Sequence, residues 1–437
     1  MLIAGVAEKV LTPKHPTFLT GYPLPLDRYH TEVHDDIKAH CFYLKNGSDR
    51  LVIITLDLCY YSKRRVQSVR EKIYNLCGIP AENIMISATH THSAPAPASI
   101  PFRLWDDRNE MYPDYLDFVD EQITEGVHEA MLNAFSASIG MGFGICGKEQ
   151  NVGGNRRDKD GPADPQVWVT AIKDDSGKLR GALINYALHP TFLHAESRII
   201  TADYPCYIYE YFQKDDPDVV VGFQIGAAGD QSSRHFRSGQ NFEEAKRVGY
   251  AIGAEAARVI DTLTYETDPT LAARRTMINP SIKPIPPLDQ AQADQRAAVE
   301  ALENSQKNNE PYPVQRTLEC TLIGANKRLR IAEEGEVGMQ GYQTLFPFEI
   351  MVFGIGSARI AAVPCEIFVS YALKIKKESP AERTYLASVS NGASGGYVYT
   401  PEALEEGGYE PTVSIYAPEA GEEVVGAVMQ LLEELAE

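Results

Sequence analysis

Ile84-Met85-Ile86-Ser87-Ala88-Thr89-His90-Thr91-His92-Ser93 is a short apolar run that ends in two histidines one residue apart. Set off upstream by the Gly78-Ile79-Pro80 turn, it reads as a buried strand, and alternate side chains of a strand share a face. On that reading His90 and His92 leave the strand end pointing the same way. Paired imidazoles at a strand exit suit zinc, whose catalytic sites take three protein ligands and keep one position open. They also suit the satisfied polar rim of a sheet, so the argument needs further donors from elsewhere in the chain.

The same pattern recurs on both sides. Residues 51–58 read as a buried strand, 62–77 as an amphipathic helix, 113–136 as a second helix and 137–144 as another strand. Strand and helix alternation of this kind predicts an α/β fold with a mixed or largely parallel sheet, packed with helices and carrying its active site at strand C-terminal ends. The strand within 180–191 stops at His189, which Pro190 holds extended. The strand within 219–232 ends in a small-residue turn bearing Asp230 and Ser232.

From about Thr267 the texture changes. Four prolines fall in residues 279–287, and 288–307 form a polar helical pattern whose simplest role is an exposed helix packed on the body. Strand character returns over 348–364, followed by Cys365-Glu366-Ile367-Phe368 and the glycine-rich stretch 390–400. With no internal repeat, the expectation is one catalytic domain over 1–437 containing a late excursion at 267–347.

Composition narrows the function classes. A hydrophobic share of 44% and a charged share of 23% are ordinary for a globular protein. A formal net charge of -19 argues against duplex nucleic acid, whose phosphates must be met by clustered Lys and Arg. No signal-peptide pattern and no apolar run of about 18 residues is seen, so a cytoplasmic protein without a transmembrane segment is expected, a mature secreted form reading the same way. Seven scattered cysteines without CxxC spacing predict reduced thiols.

The blocks ATHTHSAP at 88–95, NYALHPT at 185–191, AAGDQSS at 227–233, VPCEIF at 363–368 and GGYVYTPEALEEGGYE at 395–410 resemble, in this order, the signatures of the neutral, non-lysosomal ceramidase family. The opening GVAEKVLTP, HDDIKAH at 34–40 and TLDLCYYS at 55–62 resemble its start, so the likeness covers nearly the whole chain. It implies one zinc ion per chain held by His90, His189, Glu366 and Tyr397. It also implies His92, Arg156, Ser232 and Tyr409 around the scissile amide, the two tyrosines keeping the family's spacing.

The donor chemistry agrees with that implication. Two imidazoles, a carboxylate and a phenol form a mixed N and O set suited to zinc, which lowers the pKa of bound water and polarises a carbonyl. His92 is then the proton carrier, and Arg156 and Tyr409 the donors to a developing oxyanion. Ser232 either orients the substrate or attacks as a nucleophile, while Asp230 closes its turn. Taken singly, Glu366 also reads as a solvated or helix-capping carboxylate, Tyr397 as a packing residue and Ser232 as a turn residue. His34, His40, His194 and His235 read as structural, the last two near a pocket rim.

Several features depart from the family. No C-terminal immunoglobulin-like domain and no secretory signal are seen, Ser233-Arg234 follows the serine, and Ala94-Pro95-Ala96-Pro97 follows the paired histidines. The expected function is therefore a zinc-dependent, ceramidase-like hydrolase of an N-acyl amide bond, acting on a small or lipid-like N-acyl amine. The alternatives are hydrolysis of a small ester or of an N-acylated sugar or amino alcohol, and a catalytically silent binding module on the same fold.

Overall fold

A computed structural model of the chain describes residues 1–22, 27–96, 108, 110–392 and 396–436; Pro97 and residues 393–395 of the blocks quoted above lie outside them. Eight strands form the larger sheet: β1 (Leu2–Val10), β2 (Lys38–Asn46), β3 (Asp49–Leu56), β4 (Ile84–Ala88), β5 (Phe135–Ile145), β6 (Gln166–Asp174), β7 (Leu179–Tyr186) and β8 (Val220–Ile225). Their order is β8-β7-β6-β5-β1-β2-β3-β4. Only β7/β8 and β3/β4 are parallel neighbours, so the sheet is mixed and not largely parallel. The reason is local. β2 and β3 are joined by a tight turn at Gly47, whose φ of 59° suits glycine, and such short links only connect antiparallel strands.

A second sheet holds β9 (Leu271–Ile278), β10 (Phe348–Ile355), β11 (Ala358–Ala362) and β12 (Arg383–Ala387) in that order. The strand expected over 348–364 is thus a hairpin, turned at Gly356 with φ 55°. Side-chain alternation explains how the sheets stack. Leu51, Ile53 and Met85 point to one face and pack with Met351, Phe353 and Ile360 of the second sheet, while Val52, Ile54 and Ile86 point to the other.

Helices cover the outer faces. α1 (Lys63–Cys77) and α2 (Pro113–Leu132) pack on β1 to β4, and α3 (Tyr204–Gln213) and α4 (Phe242–Thr262) on β6 to β8. α1 is capped at both ends, by the Ser62 side chain accepting from the Arg65 N–H and by Gly78 in the left-handed region. The chain continues through α5 (Leu288–Lys307), α6 (Tyr312–Met339), α7 (Val369–Glu378), α8 (Pro401–Glu406), α9 (Tyr409–Val413) and α10 (Ala420–Glu434). α7 and α10 close the outer face of the second sheet, completing an α/β/β/α sandwich.

The polar pattern over 288–307 forms α5. It packs against α6, which in turn lies on α9. All seven cysteines are free, and no described helix is long and apolar enough to cross a membrane.

Candidate metal centre and active site

Loops beyond strand C-terminal ends bring the candidate residues together. β4 stops at Ala88, and the next two N–H groups donate to the Leu56 and Leu58 carbonyls at 2.8 and 2.9 Å. His90 then turns the chain with φ 68°, a conformation rare for a residue with a Cβ. Strand alternation is therefore not what pairs His90 with His92, as the sequence pattern predicts. A left-handed turn past the strand does so, leaving the ring centroids 5.0 Å apart and nearly perpendicular. His189, three residues past β7, joins them with its centroid 4.9 Å from that of His90.

Glu366 closes the group. Its Oε2 lies 3.2 Å from His90 Nε2 and 3.3 Å from His189 Nε2. Both rings are oriented by main chain: His90 Nδ1 donates to the Cys59 carbonyl at 2.7 Å and His189 Nδ1 to the Ala228 carbonyl at 2.6 Å. A carbonyl only accepts, so each Nδ1 carries hydrogen and each Nε2 is aimed inward, the arrangement that metal-binding histidines adopt. His90, His189 and Glu366 form a group whose ligand atoms lie within 4.8 Å of one another. The Cys59 and Ala228 carbonyls that fix the rings are features that residue types cannot reveal.

The electrostatics reflect three rings around one carboxylate. Burial pushes the Glu366 carboxyl up, but the His90 charge and the close approach of both imidazoles hold it well below its ordinary range. Burial likewise disfavours charge on His90, yet Cys59 and Glu366 outweigh it and raise its pKa well above the usual value. His189 is depressed to about 4 by burial and then by Arg156, and His92 well below its usual value by burial and then by the other two rings. His90 and His189 diverge although they sit equally near Glu366, because one carboxylate supports one proton among them.

Tyr397 reaches the cluster through a two-residue parallel ladder that sets Glu366 directly beside it. The Arg156 guanidinium lies 5.4 Å from the Tyr397 ring centroid and the Tyr409 ring 5.9 Å away from it. Arg156 donates from Nε to Glu410 at 2.8 Å and from Nη2 to the Gly229 carbonyl at 2.7 Å. Glu410 also takes Arg157 at 2.9 Å, so one buried carboxylate pairs with two arginines, the second of which also meets Glu406 at 3.0 Å. Glu410 was not singled out in the sequence, although it follows Tyr409 directly.

Ser232 behaves otherwise. It pairs with Gly154 in a short ladder next to Arg156, and its hydroxyl accepts the Arg234 N–H at 3.1 Å, a local turn contact. Asp230 does more than close that turn, accepting from the Val369 N–H at the start of α7, from Gln231 and from Asn155.

His92 stands beside the group, its Nε2 3.5 Å from that of His90, and its buried Nδ1 has no hydrogen-bond partner among the described residues. An N-terminal loop covers it. Tyr22 meets its ring edge-on at 4.8 Å, and the buried Arg28 donates to its carbonyl at 2.6 Å. This loop has no periodicity by which its contact with His92 could be foreseen. Of the remaining histidines, His34 pairs with Asp35 and stacks on Phe242, His40 is buried against Tyr209, His194 pairs with Glu196 and His235 donates to the Arg156 carbonyl.

The donor set fits a zinc ion: two inward Nε2 atoms with fixed tautomers, an adjoining carboxylate and a neighbouring phenol. Comparison with known proteins bears on the fold. No family model matches the chain. A neutral ceramidase from Pseudomonas aeruginosa superposes with a TM-score of 0.74 at 18% identity, over 99% of this chain and 75% of that one. A ceramidase solved in complex with C2 gives 0.75 at 17% identity, over 100% and 75% of the respective chains. The chain therefore has the mixed α/β fold of these ceramidases.

Proposed function

We propose that this protein is a zinc-dependent hydrolase of N-acyl amides, splitting R–CO–NH–R′ with water into a carboxylic acid and an amine. The observation that carries the reading is the Glu366 carboxylate held 3.2 and 3.3 Å from two imidazoles whose tautomers are fixed by main-chain carbonyls, on a fold shared with ceramidases. His90, His189, Glu366 and Tyr397 would hold the ion. When bound, zinc supplies a lowered pKa for water and polarisation of the amide carbonyl.

The chain's own groups do the rest. His92 lies beside the group with its Nε2 3.5 Å from that of His90 and its Nδ1 without a partner among the described residues, a placement from which it would take a proton from water and hand it to the departing nitrogen. Burial and neighbouring charges raise the Tyr409 phenol above its ordinary pKa, keeping it protonated as a hydrogen-bond donor to the oxygen that gains charge. Arg156 is locked by Glu410 and the Gly229 carbonyl, which fixes a positive charge beside Tyr397 and the same oxygen. Ser232 is assigned to orienting the substrate, because its hydroxyl already serves the Arg234 turn.

The test is metal content together with amine release from N-acyl substrates, comparing wild type with His90→Ala. The reading expects about one zinc per wild-type chain and loss of both metal and turnover in the variant. Equal metal and equal turnover in the two proteins would refute it.

A further inference from the structure

We infer that the amine portion of the substrate carries an anionic group, as in an N-acyl amino acid, bound by Arg237 and Arg234 on the His92 side of the centre. This rests on the amide-hydrolase reading and concerns which amide is taken. The chain is acidic, with 60 Asp and Glu against 41 Lys and Arg, so a local concentration of arginine runs against its composition. Yet arginines gather where the His92 and His189 loops meet.

Arg28 is fully buried and donates to the carbonyls of His92, Thr20 and Ser197. Half-buried Arg237 donates to the Thr191 carbonyl at 3.2 Å, two residues beyond His189. Arg234 is exposed and follows the Ser232 turn. None of the three makes an ion pair with a carboxylate among the described residues. Arg316, brought over by α6, is paired with Glu319 at 2.8 Å but adds to the same field. Burial, then Arg316, Arg237 and Arg28, lower the pKa of His194 at this rim.

The facing carboxylates do not neutralise the patch. Asp203 and Glu244 act on Arg237 from nearby, but Asp203 is engaged by the N–H groups of Phe192, Leu193 and Tyr204, and Glu244 by Arg247 and Ser238. Across the centre the situation is reversed, with Glu410 and Glu406 between them pairing with Arg156 and Arg157. Arg28 explains itself as a scaffold for the His92 loop. Arg237 spends one donor on the Thr191 carbonyl, and the Arg234 guanidinium makes no hydrogen bond among the described residues. Arg237, the half-buried one, is the more screened from water, where a guanidinium favours a carboxylate. The anion belongs to the amine portion because the proton carrier of the departing nitrogen, His92, lies on this side.

The experiment uses the zinc-loaded protein and two substrates with one short acyl chain, on glycine and on ethanolamine. Wild type is expected to prefer the glycine conjugate by at least about tenfold in kcat/KM, and Arg237→Gln or Arg234→Gln to erase that preference by raising KM for the anion, with zinc content retained. Preference for ethanolamine, or an unchanged ratio in both variants, overturns the inference while leaving amide hydrolysis standing. If neither compound is turned over, the hydrolase reading fails, and calorimetric titration of the same pair still decides the anion site. Tighter wild-type binding of the glycine conjugate that weakens in the variants supports it, and binding no tighter than the neutral partner, or equal in the variants, overturns it.

Discussion

Gly21→Ala is the sharpest probe of His92. Gly21 has φ 100°, and a Cβ built there would lie 2.4 Å from His92 Cγ, 2.7 Å from its Cβ and 2.8 Å from its Cδ2. Carbon atoms in contact sit about 3.5–4.0 Å apart, so the imidazole or the loop must retreat by about 1 Å. A displacement of that size in a group positioned for chemistry lowers turnover about 100-fold, or about 3 kcal/mol of barrier. The backbone adds its own penalty, since a positive φ costs a residue with a Cβ about 1–2 kcal/mol of stability.

Gly177→Ala separates the two effects: Gly177 has φ 82° and nothing within 4 Å of a built Cβ. It should lose stability to a similar degree and keep its turnover. The assay is steady-state amine release with zinc measured on the same samples, and Gly21→Ala should keep its zinc, because His92 is outside the group formed by His90, His189 and Glu366. Turnover in Gly21→Ala within about twofold of wild type would refute His92 as the proton carrier or its contact with the covering loop.

Burial raises the Asp57 carboxyl from 3.8 to about 7, even though it accepts from the Lys38 N–H and the Tyr209 hydroxyl. A raised carboxyl contributes stability that is fully present below the unfolded pKa and lost as pH climbs through the folded one, so Asp57→Asn should flatten the decline in denaturation midpoint between about pH 4 and pH 7. Phe353→Ala, between the two sheets, should cost about 3–5 kcal/mol in chemical denaturation. Glu410→Gln should cost about 3 kcal/mol by the same measurement, because it removes the carboxylate paired with the largely buried Arg156, while Arg157 keeps Glu406.

What the sequence reveals follows from where regular structure ends. Each strand exit bearing His90, His189 or Asp230 is an apolar run stopped by a polar residue, and such runs are legible because burial on both faces demands them. α1 is equally plain, since Ser62 and Gly78 mark its two ends. The turn at His90 is not legible, because histidine does not announce a φ of 68°. α6 escapes notice for a related reason: it is interrupted at Gly335, and a helix laid over α9 needs no continuous apolar stripe. Arg28 and Tyr22 sit in a loop whose contacts with His92 span about seventy positions, a distance over which no local pattern operates.

The anchoring of His90 and His189 by peptide oxygens has a bearing on divergence. The peptide oxygens at positions 59 and 228 would be supplied by any residue there, so the aim of the imidazoles does not hang on those two side chains. Substitutions elsewhere around the centre then leave the aim of both rings to the main chain.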